Sequence, residues 1–285
     1  MKRKCISIVL FAMMVTIIIS CDDGNNKNAT GFQKNTKEQQ IDVAGSSDQV
    51  TTADTKISQD IAGSPNNNVN DHEFVDLGLP SGTLWATCNV GATTPEGNGN
   101  YYAWGETRTK AFYNLDNYHH ASGSLGLTKY CSESDYDCDY GVNGFTDDLT
   151  ILQTCDDAAT ANWGTGWRMP TEEECEELLK NTTNKWTTKN GVRGKLFTAK
   201  NGKTLFLPAA GYHVDDELWL VGDGGFYWSG LLDVSIPSYA VGLCFSVYDD
   251  GAESDEDIYY YRYGDCNLSC NERYSGFSVR PVCEK

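Results

Sequence analysis

Two short segments carry residue types at spacings that suit chemistry. In Asp135-Tyr136-Asp137-Cys138-Asp139-Tyr140-Gly141, every second side chain is a carboxylate. Alternate carboxylates on an irregular loop can converge oxygens on Ca²⁺. The pattern departs from a helix–loop–helix calcium site, because Tyr140 stands where the turn glycine belongs and Thr146 where the bidentate Glu belongs. Asp135, Asp137 and Asp139 therefore read as a lone weak calcium loop or as a solvated acidic loop. The second segment is Cys266-Asn-Leu-Ser-Cys270. Two neighbouring thiolates suit soft Cu(I), and in an exported chain the same pair suits a disulfide. Other catalytic schemes are thin. The four histidines are His72, His119, His120 and His213; His119 and His120 are adjacent, so on a strand they point to opposite faces. No Gly-x-Ser-x-Gly elbow, P-loop or His-Glu-x-x-His occurs.

Aromatic residues suggest binding more than catalysis. Tyr101, Tyr102, Trp104, Tyr113, Tyr118, Tyr130, Tyr136 and Tyr140 crowd one segment. Tyrosine offers contact area with a polar tip at low ordering cost, which suits binding loops. Tyr101, Tyr102, Tyr113 and Tyr118 are the ligand-binding candidates, with Trp219 as a platform; Trp228 is expected in the core. The competing reading is cross-strand packing. The run 249–257, six of its nine residues acidic, reads as a solvated loop.

The elements that would position these residues begin behind an export signal. Lys2, Arg3 and Lys4 precede an apolar run from Ile6 to Ile19, followed by Ser20-Cys21. A basic start, a short apolar stretch and a small residue before the cut describe a secretory signal peptide over 1–20. Cys21 just after the cut resembles the acylated cysteine of a bacterial lipoprotein. Palmitate-type acylation of Cys21 would tether the chain to a membrane, expected to be the outer membrane and its cell-surface side. Residues 21–72 are rich in Asn, Asp, Lys, Gln, Ser and Thr, with Phe32 the one aromatic. They read as a flexible stem, too poor in apolar area to offset ordering entropy. Residues 73–285 read as one domain.

Loss of the signal removes three basic residues and no acidic one, leaving 19 basic against 40 acidic residues. A net charge of −21 argues against nucleic acid, whose phosphates demand Lys and Arg. Of eleven cysteines, nine remain beyond Cys21: Cys88, Cys131, Cys138, Cys155, Cys175, Cys244, Cys266, Cys270 and Cys283. Export permits disulfides among them, and the odd count leaves one thiol over.

Strands dominate the pattern. Thr83–Cys88, Lys203–Leu207 after the Asn201-Gly202 turn, Phe226–Ser229, Ala240–Val247 and Phe277–Val282 are β-prone runs. Thr171-Glu172-Glu173-Glu174 is a capping box opening a helix, and Asp156-Asp157-Ala158-Ala159 opens a shorter one. Many short strands with about two helices predict an α+β domain with long loops.

Three blocks then line up in order: Val75-Asp76-Leu77-Gly78-Leu79-Pro80-Ser81-Gly82-Thr83-Leu84-Trp85-Ala86, Asp156-Asp157-Ala158-Ala159 through Trp167-Arg168-Met169-Pro170-Thr171, and Gly276-Phe277-Ser278-Val279-Arg280-Pro281-Val282. Together they resemble the Fibrobacter succinogenes major paralogous domain, abundant in lipoproteins of Bacteroides-type bacteria. The resemblance implies a C-type-lectin-like fold related to formylglycine-generating enzyme domains, and it implies little about activity. The motif residues themselves read as scaffold. Formylglycine-generating enzymes hold copper on two cysteines with four residues between them, against three between Cys266 and Cys270. The Glu-Pro-Asn, Gln-Pro-Asp and Trp-Asn-Asp signatures of calcium-dependent sugar binding are absent. The expectation is a lipid-anchored, non-enzymatic binding protein for a glycan or protein ligand. A fimbria-like assembly component and a copper oxidase of the formylglycine-generating type are the alternatives.

Overall fold

A computed structural model of the chain describes residues 68–132, 141–247 and 266–285, all within one compact unit. The signal segment, Cys21, most of the stem, Asp135, Asp137, Asp139, Cys138 and the acidic run 249–257 lie outside the described residues.

The ordered chain begins on a hairpin. β1 (Asn68–Val69) pairs antiparallel with β2 (His72–Val75) across Asn70-Asp71, both at positive φ. Two consecutive left-handed residues make the turn whose twist matches a two-residue hairpin. The fold thus takes in 68–72, which the sequence places in the stem. β3 (Leu84–Ala86) and β14 (Val282–Cys283) complete a four-stranded sheet in the order β1-β2-β3-β14.

The central sheet has five strands. β10 (Gly224–Leu232), β11 (Tyr239–Ser246) and β12 (Asn267–Glu272) form an antiparallel meander. β13 (Phe277–Ser278) lies parallel to β10, and β4 (Tyr101–Tyr102) pairs antiparallel with β13. All eight residues of β11 are buried, which is why its sequence is continuously apolar rather than alternating. A three-stranded sheet holds β5 (Thr182–Lys189), β6 (Val192–Ala199) and β7 (Thr204–Pro208), and a separate hairpin holds β8 (Tyr212–Val214) and β9 (Glu217–Trp219). Helices are α1 (Ala158–Trp163) and α2 (Glu172–Asn181). The architecture is α+β: several small, mostly antiparallel sheets with two helices.

Both helices start as the sequence requires. Asp157 caps α1, its carboxylate accepting from Thr160 N at 3.0 Å and Met169 N at 2.8 Å. Thr171 and Glu174 form a complete capping box on α2. The core is aromatic. Trp228 stacks on Phe277 at 4.0 Å, and their neighbours Trp104 and Trp167 are also fully buried. Two of the buried indoles find acceptors: Trp104 Nε1 donates to Ser229 O and Trp228 Nε1 to Tyr102 O, at 2.9 and 2.8 Å.

The three sequence blocks meet in space. Arg168 pairs its backbone with Val282 and grips Glu174 with both guanidinium arms, at 2.7 and 2.8 Å. Glu174 also accepts from Thr83 Oγ1 at 2.7 Å. Arg280, buried on every side, reaches Asn89 Oδ1, Ala86 O and Thr87 O. The blocks clamp β3, α2 and β14 together.

No disulfide joins any of the eight described cysteines. Cys270 lies on β12 and Cys266 immediately precedes it. Four extended steps separate their α-carbons by roughly 13 Å, beyond the reach of one disulfide. With β12 extended, two sulfurs so spaced are not placed to share one Cu(I) ion.

Candidate functional site

An open cleft of about 470 Å³ is lined by Gly105, Glu106, Thr107, Arg108, Thr109, Lys110, Asn117, His119, Cys155 and Asp156. Three loop segments build it. The first leaves β4, turns at Ala103–Glu106, and runs out through the exposed Arg108 and Thr109. The second is the 3-10 turn Leu115–Asn117, capped by Asn114 Oδ1 on Asn117 N, with His119 and His120 after it. The third is the 3-10 turn Thr154–Asp156 that leads into α1.

Two partly buried charge clusters form the walls. Glu106 Oε1 accepts from Lys110 Nζ at 2.9 Å and from His119 N at 2.7 Å. Lys110 Nζ sits over the rings of Tyr113 and Tyr118, 5.5 and 5.6 Å from their centroids. Burial pulls the Lys110 ammonium below its usual range, partly opposed by Glu106. Asp156 Oδ2 accepts from Lys129 Nζ and Tyr130 Oη, each at 2.5 Å. Partial burial would raise this carboxyl, but those two donors and the charges of Lys129 and His120 outweigh it and hold it below the carboxylate range. Its neighbour Asp157 points into the core, where burial raises it against the N–H donors of Met169 and Thr160.

His120 is buried behind the cleft. Its Nε2 lies 2.9 Å from Gly105 O; a carbonyl only accepts, so Nε2 carries the proton. Asp156 Oδ2 is 4.0 Å away. Burial lowers the imidazole below its ordinary range, against the raising effects of Gly105 O and Asp156. Gly105 has φ +79°, and a Cβ there would come within 2.9 Å of the His120 ring. We expect Gly105→Ala to lose about 1–3 kcal/mol from left-handed strain and the clash, read as a fall in the urea midpoint. An unchanged midpoint would show that this contact does not set the cleft wall.

Cys155 is exposed at the rim, and its thiol donates to Asp156 Oδ1 at 3.6 Å. Its hydrogen-bond partner is thus a carboxylate, which does not activate a thiol as an imidazole base would. Among the described residues no group of three or more His, Cys, Asp or Glu side chains is placed to hold a metal ion.

The sequence candidates fall mostly elsewhere. Tyr102, Tyr113 and Tyr118, expected to meet a ligand, are 1–2 % exposed and face the interior. Tyr113 Oη donates to Tyr101 O and Tyr118 Oη to Trp104 O, both at 2.6 Å. Tyr101 is half-buried and donates to Ala210 O at 2.5 Å. Desolvation lifts the Tyr101 and Tyr113 phenols to about 12. These tyrosines hold the loops from behind. Trp219, on β9, is 49 % exposed, with Leu218 and Val221 beside it in sequence also exposed. The cleft is lined instead by Glu106, Arg108, Lys110, His119 and Asp156 among others. The available signal was the polar run Gly105–Lys110 between two aromatic stretches.

No family model, curated protein or solved structure matches this chain. The resemblance to the major paralogous domain therefore rests on the three sequence blocks alone.

Proposed function

We propose that the domain is a non-enzymatic binding module that takes a short glycan segment in the 105–119/155–156 cleft. The observation that carries this reading is the cleft itself, about 470 Å³ and lined mainly by polar and charged residues. That volume is in the range of small-ligand sites, and a hydroxyl-rich ring satisfies many donors and acceptors at once. The cleft's loops are fixed from below by buried tyrosines, so little ordering cost falls on binding. The frame is read as C-type-lectin-like on the three sequence blocks, which the α+β architecture accommodates. With the acylated Cys21 and the stem, the module would stand on the outer face of a membrane. The single test is a polysaccharide array with the wild type and Thr109→Trp, which plugs the cleft and removes no buried group. Binding that disappears in the plugged variant supports the reading; binding that survives removes the cleft from it.

A second reading, a protein ligand, is favoured by the half-exposed Leu218, Trp219 and Val221 at β9. Trp219→Ala distinguishes it, since a β9 platform loses capture there and the cleft does not.

A further inference from the structure

We infer that the cleft selects acidic sugars, with the sugar carboxylate seated on Arg108 beside His119. The inference rests on the glycan reading above and adds the ligand's charge. Its basis is the pairing of charges around the cleft. The Glu106 carboxylate is held by Lys110, and the Asp156 carboxylate by Lys129 and Tyr130. Arg108 lines the same cleft, is exposed, and has no ion-pair partner among the described residues. The other arginines described are all engaged: Arg168 on Glu174, Arg193 on Asp223, Arg273 and Arg280 on buried oxygens. The cleft thus presents one uncommitted guanidinium on a chain of net charge −18. His119, Thr107 and Thr109 share that lining.

A guanidinium offers a planar fork of N–H donors that matches the two oxygens of a carboxylate. A neutral sugar would leave that fork hydrated but gain little from it. A uronic or sialic acid places a carboxylate on the ring edge next to the hydroxyls that the rest of the cleft would hold. The surrounding negative charge disfavours polyanions as a class, so recognition is expected for glycans with isolated carboxylates between neutral residues.

The test uses calorimetric titration with a panel of uronic-acid and sialic-acid oligosaccharides, each beside its methyl ester. The wild type is expected to bind at least one acid about tenfold more tightly than its ester at low salt, which is about 1.4 kcal/mol. Arg108→Ala is expected to bring that ratio to about one, and Lys203→Ala, outside the cleft, to keep it. Melting midpoints confirm that both variants fold. Equal binding of every acid and its ester by the wild type overturns the inference and leaves the glycan reading intact. Retained preference in Arg108→Ala also overturns it. Binding of no sugar, acidic or neutral, removes the glycan reading and this inference with it.

Discussion

Arg273→Ala is expected to lower stability by at least ~4 kcal/mol. Arg273 is wholly buried, just after β12, with no carboxylate partner among the described residues. Its fork instead serves four oxygens: Nε donates to Tyr118 Oη at 2.9 Å, Nη1 to Tyr130 O and Pro237 O at 2.7 and 2.9 Å, and Nη2 to Lys129 O at 2.5 Å. The guanidinium also lies 5.1–6.0 Å from the ring centroids of Trp104, Tyr118 and Tyr130. Truncation strands buried carbonyls, each costing about 1–3 kcal/mol, and empties an aromatic-lined space. Arg273→Lys restores the charge and not the fork, so it recovers only part of the loss. Lys129, Tyr130 and Tyr118 adjoin the cleft walls, so the proposed ligand binding is expected to fall with stability. For a domain of this size the melting midpoint drops on the order of 10 °C. A midpoint unmoved in both variants would show that these loops are held by something else.

Glu174→Ala is expected to cost about 3 kcal/mol and to flatten the acid limb of the stability curve. Glu174 is 8 % exposed, and its carboxylate accepts from both arms of Arg168, from Thr83 Oγ1, and from Thr171 N in the capping box. Burial alone would raise it; these donors and the Arg168 charge outweigh burial and hold it below 4.5. Arg168 is raised correspondingly, first by its bonds to Glu174. In the unfolded chain the same group takes its proton near 4.5. Above that value the contribution is fully present, and it is lost as pH falls through the lower folded value. Wild type therefore loses stability between about pH 5 and the folded value, and Glu174→Ala loses less over the same interval. Parallel acid limbs in denaturant titrations would contradict this.

The parts of the fold legible in the sequence have local causes. The capping box at Thr171–Glu174 and the Asn201-Gly202 turn each act within four residues, and each appears where expected. The pair β5–β6 turns on Asn190-Gly191, both at positive φ, a turn signal as strong as Asn201-Gly202, but Thr182–Lys189 beside it is polar and lacks the apolar alternation of a strand. Phe277–Val282 reads as one strand and is two, interrupted where Arg280-Pro281 turns a buried guanidinium inward. The tyrosines show the harder limit. Aromatic content at 101–118 is compatible with a binding face and with a core, and only long-range partners decide. Those of Arg273 lie 36 to 155 residues away, so its polar neighbours Asn271 and Glu272 suggest a surface turn. The cleft is illegible for the same reason: Glu106, His119 and Asp156 come together through loops whose lengths carry no periodic signal.

The most direct measurement is amide chemical-shift mapping of the protein with an oligosaccharide that the array identifies. Binding in the cleft predicts perturbations grouped at 105–110, 117–120 and 155–156, fading in Thr109→Trp. Perturbations grouped at 218–221 on the β9 side, with the 105–110 amides unmoved, would contradict it.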